Sequence, residues 1–472
     1  MKRTILLGVT LLSCLVSIGQ NVFISGSGKN IAGKTIKLYS VADAISGLQK
    51  EEQVLKLSDE DSTFSFAITL PEEKVVMLKI DLMRYSFVAR PGTKYALKVQ
   101  DFEFTAEDSL YAYSFGLTLP CELTMERYDG INQPIQEVDN ALNEFLLDSQ
   151  RLLFVKDKET INNLYALRDS LITKYQGNDY MQNYITYEFA GIDFALSLKS
   201  RKSIKDSLFA HKPILYSNLA YMNCFQNVFS KYFSKGYKFI KRSDIEQWLA
   251  TNNYNAFNDA LGRDNVLENE VFRELVFLQG MKDSYLDGYF DRNLVKNMLG
   301  KFAASTKFSQ HKTIAENLIQ SLGEINAENH DIRDLKVKDI DNETKTLAQY
   351  INDKPLIVCF IRLEQEISLK ELEGIHFCYD SIKDNCDVLT ICCSNNFERM
   401  YNFIKNNKVG NKYKWNFVYF DENYDLMESF HIRTFPTFVL VSPQGKIIRN
   451  PMDSPSLGSF MEFKKIKTNQ QQ

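Results

Sequence analysis

Three patterns of apolar and polar positions follow one another along the chain. Between residues 21 and 105, short runs rich in β-branched and aromatic residues alternate with polar turns, which is typical of β-strands. Between 106 and 328, apolar residues recur every three or four positions, which is typical of packed helices. From 331 to 466, strand and helix patterns alternate. The sequence therefore predicts a multidomain protein with an N-terminal β-sandwich, a central α-helical bundle and a C-terminal α/β domain.

The N-terminal strands are predicted from runs that favour extended backbone. These runs are Val22–Ile24, Thr35–Tyr39, Thr63–Ile68, Val75–Ile80 and Tyr95–Val99. Turn-forming residues at Gly26–Asn30 and Arg90–Thr93 separate several of them. Short strands at this regular spacing favour a small sandwich.

The central region carries apolar stripes, and charged residues occupy the opposite helix faces. The stripes are Ile135, Val138, Leu142 and Phe145; Leu164, Leu167, Leu171 and Tyr175; Ile185, Phe189, Ile192 and Leu196; and Val271, Leu275 and Leu278. A dense group of aromatic residues lies at Tyr221–Phe233. We expect this group to pack inside the bundle rather than to line a ligand groove.

Residues 1–20 have the features of a secretory signal peptide. A basic start at Lys2 and Arg3 is followed by an apolar run from Ile5 to Ile18, which is shorter than a membrane span of about 20 residues. We therefore expect an exported protein. Leu11–Cys14 is a partial match to a lipoprotein cleavage box, so attachment to a membrane is expected only if Cys14 is lipidated. At the other end, residues 467–472 are expected to form a disordered tail.

Composition narrows the function classes. Of 472 residues, 44% are apolar and 25% are charged, and the net charge of −4 gives no basic excess for binding nucleic acid. Removal of the signal peptide leaves seven of the eight cysteines, an odd number that argues against a disulfide framework. The five histidines lack metal-ligand spacing, and cofactor motifs are missing from the sequence. We expect neither a metal nor a cofactor.

The C-terminal region resembles a thioredoxin-like domain. Ser429–Val441 and the turn Ser442–Ile448 resemble its second half, in which a strand follows a proline. Further upstream, Leu335–Leu347 resembles the first hairpin, and Lys354–Phe360 resembles the central strand that leads to the active site. The resemblance is to the membrane-associated thioredoxins of the TlpA/ResA group, over about 135 residues, and it implies a thioredoxin-like fold.

The N-terminal region also resembles a known domain, although more loosely. Phe64–Phe66 and Pro91–Gly92 are similar to a domain of unknown function found in exported thioredoxin-like proteins of Gram-negative bacteria. Together with the signal peptide, this similarity implies the periplasm or cell envelope as the location.

Relatives in this group carry a Cys-x-x-Cys pair after the central strand, and this chain has none. Gln365 and Ser368 fall approximately where the two cysteines belong. Thiol–disulfide exchange needs a thiolate stabilised by the helix N-terminus and a second thiol to resolve the mixed disulfide. An amide and a hydroxyl cannot replace them, so we expect no catalytic residue here. Ser368 and Glu371 match a capping box, which predicts that Ser368 caps the following helix.

Other cysteines could supply a displaced redox pair. Cys359 lies on the central predicted strand, and Cys392 and Cys393 end the neighbouring one. Because consecutive strand residues point to opposite faces, at most one of Cys392 and Cys393 faces a cleft. These three residues are the alternative redox candidates.

Pro436 is the retained part of the family pattern. The resemblance implies that this proline is cis and that the backbone at Thr434, Phe435 and Pro436 binds extended peptide by strand-like pairing. The alternative is that Pro436 is kept only for folding.

Three hypotheses about function follow. The preferred one is an envelope protein with a degenerate active site that binds or scaffolds an exported protein or peptide without catalysis. The second is a thiol–disulfide oxidoreductase that uses the displaced cysteines. In the third, the N-terminal and central regions carry the function.

Overall fold

The computed structural model describes residues 20–80, 83–101, 117–126, 130–234, 240–325, 330–405, 412–421, 423–432 and 434–454. The predicted signal peptide, Cys14 and the tail 467–472 lie outside these ranges, as do the boundary at 105 and the C-terminal limit at 466. Contacts divide the chain into two compact units. The first contains residues 20–101 and 119–322, and the second contains residues 117–118 and 323–454.

The first unit begins with strands. They are β1 (Val22–Ser27), β2 (Thr35–Val41), β3 (Gln49–Lys56), β4 (Thr63–Ile68), β5 (Lys74–Ile80), β6 (Met83–Ala89), β7 (Thr93–Val99) and β9 (Cys121–Met125). The two-residue strand β8 (Leu117–Thr118), which lies between β7 and β9 in the sequence, belongs to the second unit. One sheet has the order β4-β1-β7-β9, with β1 and β7 parallel. In another, β3, β2, β5 and β6 are antiparallel neighbours. Strand-rich sheets are thus confirmed, while their arrangement as a sandwich stays a prediction.

Strand β9 lies inside the segment that was predicted to be helical. It pairs with β7, with Val99 opposite Cys121, and the first described α-helix begins at Asn132. Residues 121–125 are therefore a strand and not part of a helix, while the predicted start of the helical region at residue 106 lies outside the described residues. Glu122 and Thr124 alternate with apolar residues in β9, but a run of five residues is too short to stand out from a helical pattern.

Helices fill the rest of the first unit. They are α1 (Asn132–Phe154), α2 (Lys158–Lys174), α3 (Asp179–Ala195), α4 (Arg201–Ile204), α5 (Leu219–Val228), α6 (Arg242–Ala250), α7 (Tyr254–Leu261), α8 (Glu270–Leu286), α9 (Arg292–Ser305) and α10 (Ser309–Ile325). Their predicted stripes lie in one core: Val138, Leu142, Leu164, Leu171, Ile185, Phe189, Leu275 and Leu278 are buried. Tyr221, Phe225 and Phe229 from the aromatic group are buried there as well. The helical region is confirmed, and its description as a bundle stays a prediction.

The loop between β2 and β3 joins strands and helices into one unit. The backbone carbonyl of Ala44 accepts a hydrogen bond from Gln226 at 2.6 Å, and that of Ile45 accepts one from Lys282 at 2.7 Å. The Ser321 hydroxyl donates to the carbonyl of Ser46 at 2.9 Å. These bonds satisfy loop backbone groups that would otherwise be buried without partners.

The second unit is an α/β domain with one mixed sheet. Its strands are β10 (Lys336–Lys338), β11 (Thr344–Thr346), β12 (Leu356–Ile361), β13 (Asp387–Cys392), β14 (Asn416–Tyr419), β15 (Thr437–Val441) and β16 (Ile447–Met452), and its helices are α11 (Glu366–Ile382), α12 (Phe397–Lys405) and α13 (Tyr424–Ser429). The sheet order is β11-β10-β14-β13-β12-β15-β16. Strand β12 is parallel to β13 and antiparallel to β15, and all six of its residues are buried.

Candidate binding edge of the C-terminal domain

Three segments meet at one edge of the sheet of the second unit. Strands β12 and β13 both end there, with Ile361 opposite Cys392. Strand β15 begins at the same edge, because Phe360 of β12 pairs with Thr437. The carboxyl ends of parallel strands are where α/β folds place their binding sites.

Gln365 and Ser368 lie at the start of α11. Gln365 is the residue immediately before the helix, and its side chain caps no backbone group. Ser368 is fully buried in the first turn, where its hydroxyl accepts a hydrogen bond from the backbone N–H of Arg362 at 3.3 Å. The start of α11 therefore holds an amide at residue 365 and a buried hydroxyl with a structural hydrogen bond at residue 368.

The predicted capping box at Ser368 is wrong. The N–H of Leu369 donates to the carbonyl of Gln365 at 3.3 Å, so the helix begins before Ser368. The carboxylate of Glu371 accepts a hydrogen bond from the Ser454 hydroxyl. The motif matched by spacing alone, but the helix starts at Glu366 and places Ser368 inside its first turn.

A network of charged and polar side chains covers this edge. Arg362 donates to the Asn395 side chain at 3.1 Å, and its Nε lies 3.8 Å from one carboxylate oxygen of Glu364. The other oxygen of Glu364 contacts Arg399 at 3.3 Å and accepts from the Asn395 N–H at 3.2 Å. Among the described residues, Arg362 Nε, Glu364 Oε2 and Gln365 Oε1 are buried polar atoms without a hydrogen-bond partner. Such atoms are rare in folded proteins, and each of them needs an explanation.

Sequence reasoning missed this network. Arg362 and Glu364 find their partners about thirty residues away, on the segment after β13. The available signal was polar residues, Ser394–Asn396, directly after an apolar strand.

The alternative redox candidates are all inaccessible to solvent. Cys359, Cys392 and Cys393 are free thiols with no exposed surface. Burial raises the pKa of each of them above that of an ordinary thiol. Because the thiolate is the reactive species, this environment disfavours reaction.

The register also separates Cys359 from Cys392. Cys359 lies opposite Thr390, two residues before Cys392 on the neighbouring strand. Strands about 4.8 Å apart and a rise of about 3.3 Å per residue give a Cα–Cα distance of about 8 Å. A disulfide needs about 7 Å or less.

Thr434, Phe435 and Pro436 lead into β15, and the peptide bond between Phe435 and Pro436 is cis. Thr434 is exposed, while Phe435 and Pro436 are half-buried. The Thr434 carbonyl accepts a hydrogen bond from the Thr437 hydroxyl at 2.6 Å. Within the described ranges, no hydrogen bond engages the backbone N–H or carbonyl of Phe435.

Comparisons with known proteins find similarity to this unit. Residues 352–447 match the thioredoxin-like family model. The thioredoxin domain of a thiol-disulfide oxidoreductase from Bacteroides vulgatus is 22% identical, with a TM-score of 0.25; the match covers 29% of this chain and 95% of that one. StoA from Bacillus subtilis is 25% identical, with a TM-score of 0.22 and coverages of 27% and 94%. An exposed lipoprotein thioredoxin from Streptococcus pneumoniae is 20% identical, with a TM-score of 0.23 and coverages of 27% and 97%.

The family match confirms the predicted thioredoxin-like fold of the C-terminal domain. The structural neighbours include a protein described as a thiol-disulfide oxidoreductase. No curated protein matches the chain. In the described part of the chain, no helix combines the length and apolar character needed to cross a membrane. The same residues contain no group of three or more metal-ligating side chains.

Proposed function

We propose that the C-terminal domain is a peptide-binding module that has lost thiol–disulfide exchange. Its occupant is an extended segment of an exported protein, held at the edge where β12, β13 and β15 meet. The proposal includes export through the signal peptide 1–20 to the periplasm or cell envelope, where thioredoxins of the TlpA/ResA group also act.

The free peptide group of Phe435 is the observation that carries this proposal. A backbone N–H and carbonyl left unpaired next to a strand form a template for an added strand. A peptide lying along Thr434 and Phe435 would satisfy both groups.

The loss of exchange chemistry rests on the start of α11. Gln365 and Ser368 supply neither an attacking nor a resolving sulfur. Cys359, Cys392 and Cys393 are buried in the sheet and its edge, away from solvent. Retention of the surrounding scaffold favours binding over catalysis.

The test uses the full mature chain and two probes. Reduced, carboxymethylated ribonuclease A is permanently unfolded and has no thiol, so its binding reports peptide capture alone. We expect it to slow hydrogen exchange at the Phe435 amide, while the chain fails to reduce insulin. Unchanged exchange at Phe435 despite saturating ribonuclease would overturn the binding site. Insulin reduction that is abolished by Cys392→Ser or Cys393→Ser would establish the oxidoreductase instead.

A further inference from the structure

A large cleft lies in the first unit and is independent of the function proposed above. Its volume is about 890 Å³, which falls within the usual range for small-molecule sites, about 300–1,000 Å³. The loop after β2, the start of β5, helices α3 and α10, and the segment before α5 surround it. Apolar parts of its wall come from Val41, Val75, Tyr180, Leu215, Tyr216 and Ile314.

One buried acceptor in the wall lacks a partner. Glu73 lies at the start of β5 with a side chain only 18% exposed, and one carboxylate oxygen contacts Arg90 Nε at 2.5 Å. The other oxygen, Oε1, is buried and has no hydrogen-bond partner among the described residues. A buried carboxylate oxygen needs a donor, and a charged donor provides the strongest bond.

Charges around the cleft favour a cationic group. Besides Glu73, the carboxylates of Asp43, Glu72 and Asp179 line it, whereas Lys74 is the single basic side chain of the described lining. Asp43 is already engaged by Ser46 and Asn317, and Glu72 is largely exposed. Glu73 is therefore the carboxylate best placed to bind a ligand.

The aromatic part of the wall is held in a fixed position. The Tyr216 hydroxyl lies 2.7 Å from His311 Nε2, and His311 Nδ1 lies 2.9 Å from a carboxylate oxygen of Glu274. His311 has no exposed surface, and Glu274 is 2% exposed. On the other side, burial and the charge of Glu73 raise the pKa of Tyr180, so this phenol stays neutral. A prearranged wall lowers the entropic cost of binding.

We propose that this cleft binds a ligand with a protonated primary amine attached to an apolar body. The ammonium group lies against the Glu73 carboxylate, whose side chain lines the cleft and is 18% exposed, and the apolar body packs between Tyr180 and Tyr216. A lysine side chain in a short peptide and a free alkylamine share this chemistry.

Titration calorimetry on the full chain tests the proposal with two amines and their uncharged counterparts. The pairs are acetyl-Leu-Lys-Leu-amide with its norleucine analogue, and hexylamine with hexanol. We expect at least one amine to bind about tenfold or more tighter than its counterpart, because charge-assisted hydrogen bonds are the stronger ones. Preference for the peptide pair identifies a lysine segment as the ligand class, and preference for the alkyl pair identifies a small amine.

Variants distinguish the specific effect of Glu73 on binding from the general effect of the negative charges around the cleft. Glu73→Gln should remove the preference for the amine, whereas Glu72→Gln, at the exposed rim, should change the affinity less than threefold. Thr313→Trp, on the exposed face of α10 that lines the cleft, should block binding without altering Glu73 and serves if Glu73→Gln fails to fold. Equal binding of amines and counterparts, binding of none of them, or equal effects of Glu73→Gln and Glu72→Gln would each refute the proposal.

Discussion

The hydroxyl of Ser368 accepts a hydrogen bond from the backbone N–H of Arg362, 3.3 Å away, in a fully buried position. This bond ties the end of β12 to the first turn of α11. Ser368 thus holds the backbone in place where the strand leads into the helix.

Replacing Ser368 by alanine should lower the free energy of unfolding of the second unit by about 1–2 kcal/mol. The substitution leaves a buried backbone N–H without a partner, which lowers stability more than the removal of both partners of a hydrogen bond would. Urea unfolding followed by Trp415 fluorescence measures the effect in a Trp248→Phe background, since the chain has two tryptophans. Ser381 lies exposed on the same helix, so Ser381→Ala is the control, with an expected change below about 0.5 kcal/mol. Equal losses in both variants would show that the Ser368 bond contributes nothing.

Restoring the missing sulfurs should restore exchange chemistry. Residues 365 and 368 are three apart at a helix start, a spacing that a disulfide can bridge, and the helix N-terminus stabilises a thiolate. We expect Gln365→Cys combined with Ser368→Cys to form a reversible disulfide and to reduce insulin well above the wild-type rate.

The single variant Gln365→Cys is the control, because it has an attacking thiol but no resolving one. It should form mixed disulfides without turnover. A folded double variant that stays as inactive as the wild type would mean that this edge no longer has the geometry of an exchange site.

The apolar pattern predicted most elements but not the edges. Thr63–Ile68 matches β4 residue for residue, since its aromatic side chains alternate toward the core. Strand β3, Gln49–Lys56, was missed because its many charged residues leave no alternation of apolar and polar positions. Charged side chains are typical of edge strands, where they discourage pairing with other chains. The pattern therefore mainly reports burial, although β6, Met83–Ala89, was missed as well despite its buried residues.

The candidate site was only partly predictable. Local spacing located Gln365, Ser368 and Pro436, because the resemblance is carried by consecutive residues. The contacts of Glu364 with Asn395 and Arg399 depend on how two strands align, which no local pattern encodes. The same holds for Tyr216 and His311, which lie 95 residues apart in the sequence. His311 was one of five histidines considered only for metal-ligand spacing, which does not detect a hydrogen-bond partner that lies far away in the sequence.

The first unit should become less stable as the pH rises from about 4.5 to 7, because one half-buried carboxyl group loses its proton over this range. Burial, followed by the nearby charge of Asp139, raises the pKa of Glu188 to about 7. The folded state then holds this proton more tightly than the unfolded state, so the stabilisation is complete below about pH 4.5 and is lost as pH rises through 7. The loss should be roughly 2 kcal/mol. Glu188→Gln should remove this part of the pH dependence.

Unfolding free energies at pH 5 and pH 8 measure the effect, with Trp248 as the probe in a Trp415→Phe background. Glu144→Gln, at an exposed position of α1, is the matched control and should leave the difference between the two pH values unchanged. If Glu188→Gln behaves like Glu144→Gln, the Glu188 carboxyl ionises normally in the folded protein.

The buried contacts of His311 should contribute more to stability than any surface histidine. His311→Ala leaves the Glu274 carboxylate, which also accepts from Thr306 at 2.7 Å, short of one partner and opens a cavity. Breaking such a buried pair costs about 3 kcal/mol or more. Tyr216→Phe removes only one hydrogen bond to His311 and should cost about 1 kcal/mol. The same Trp248 unfolding experiment measures both, and His211→Ala at an exposed position should change stability by less than about 0.5 kcal/mol. If His311→Ala costs no more than His211→Ala, Glu274 and His311 do not form a stabilising pair, and the fixed wall inferred for the cleft loses its support.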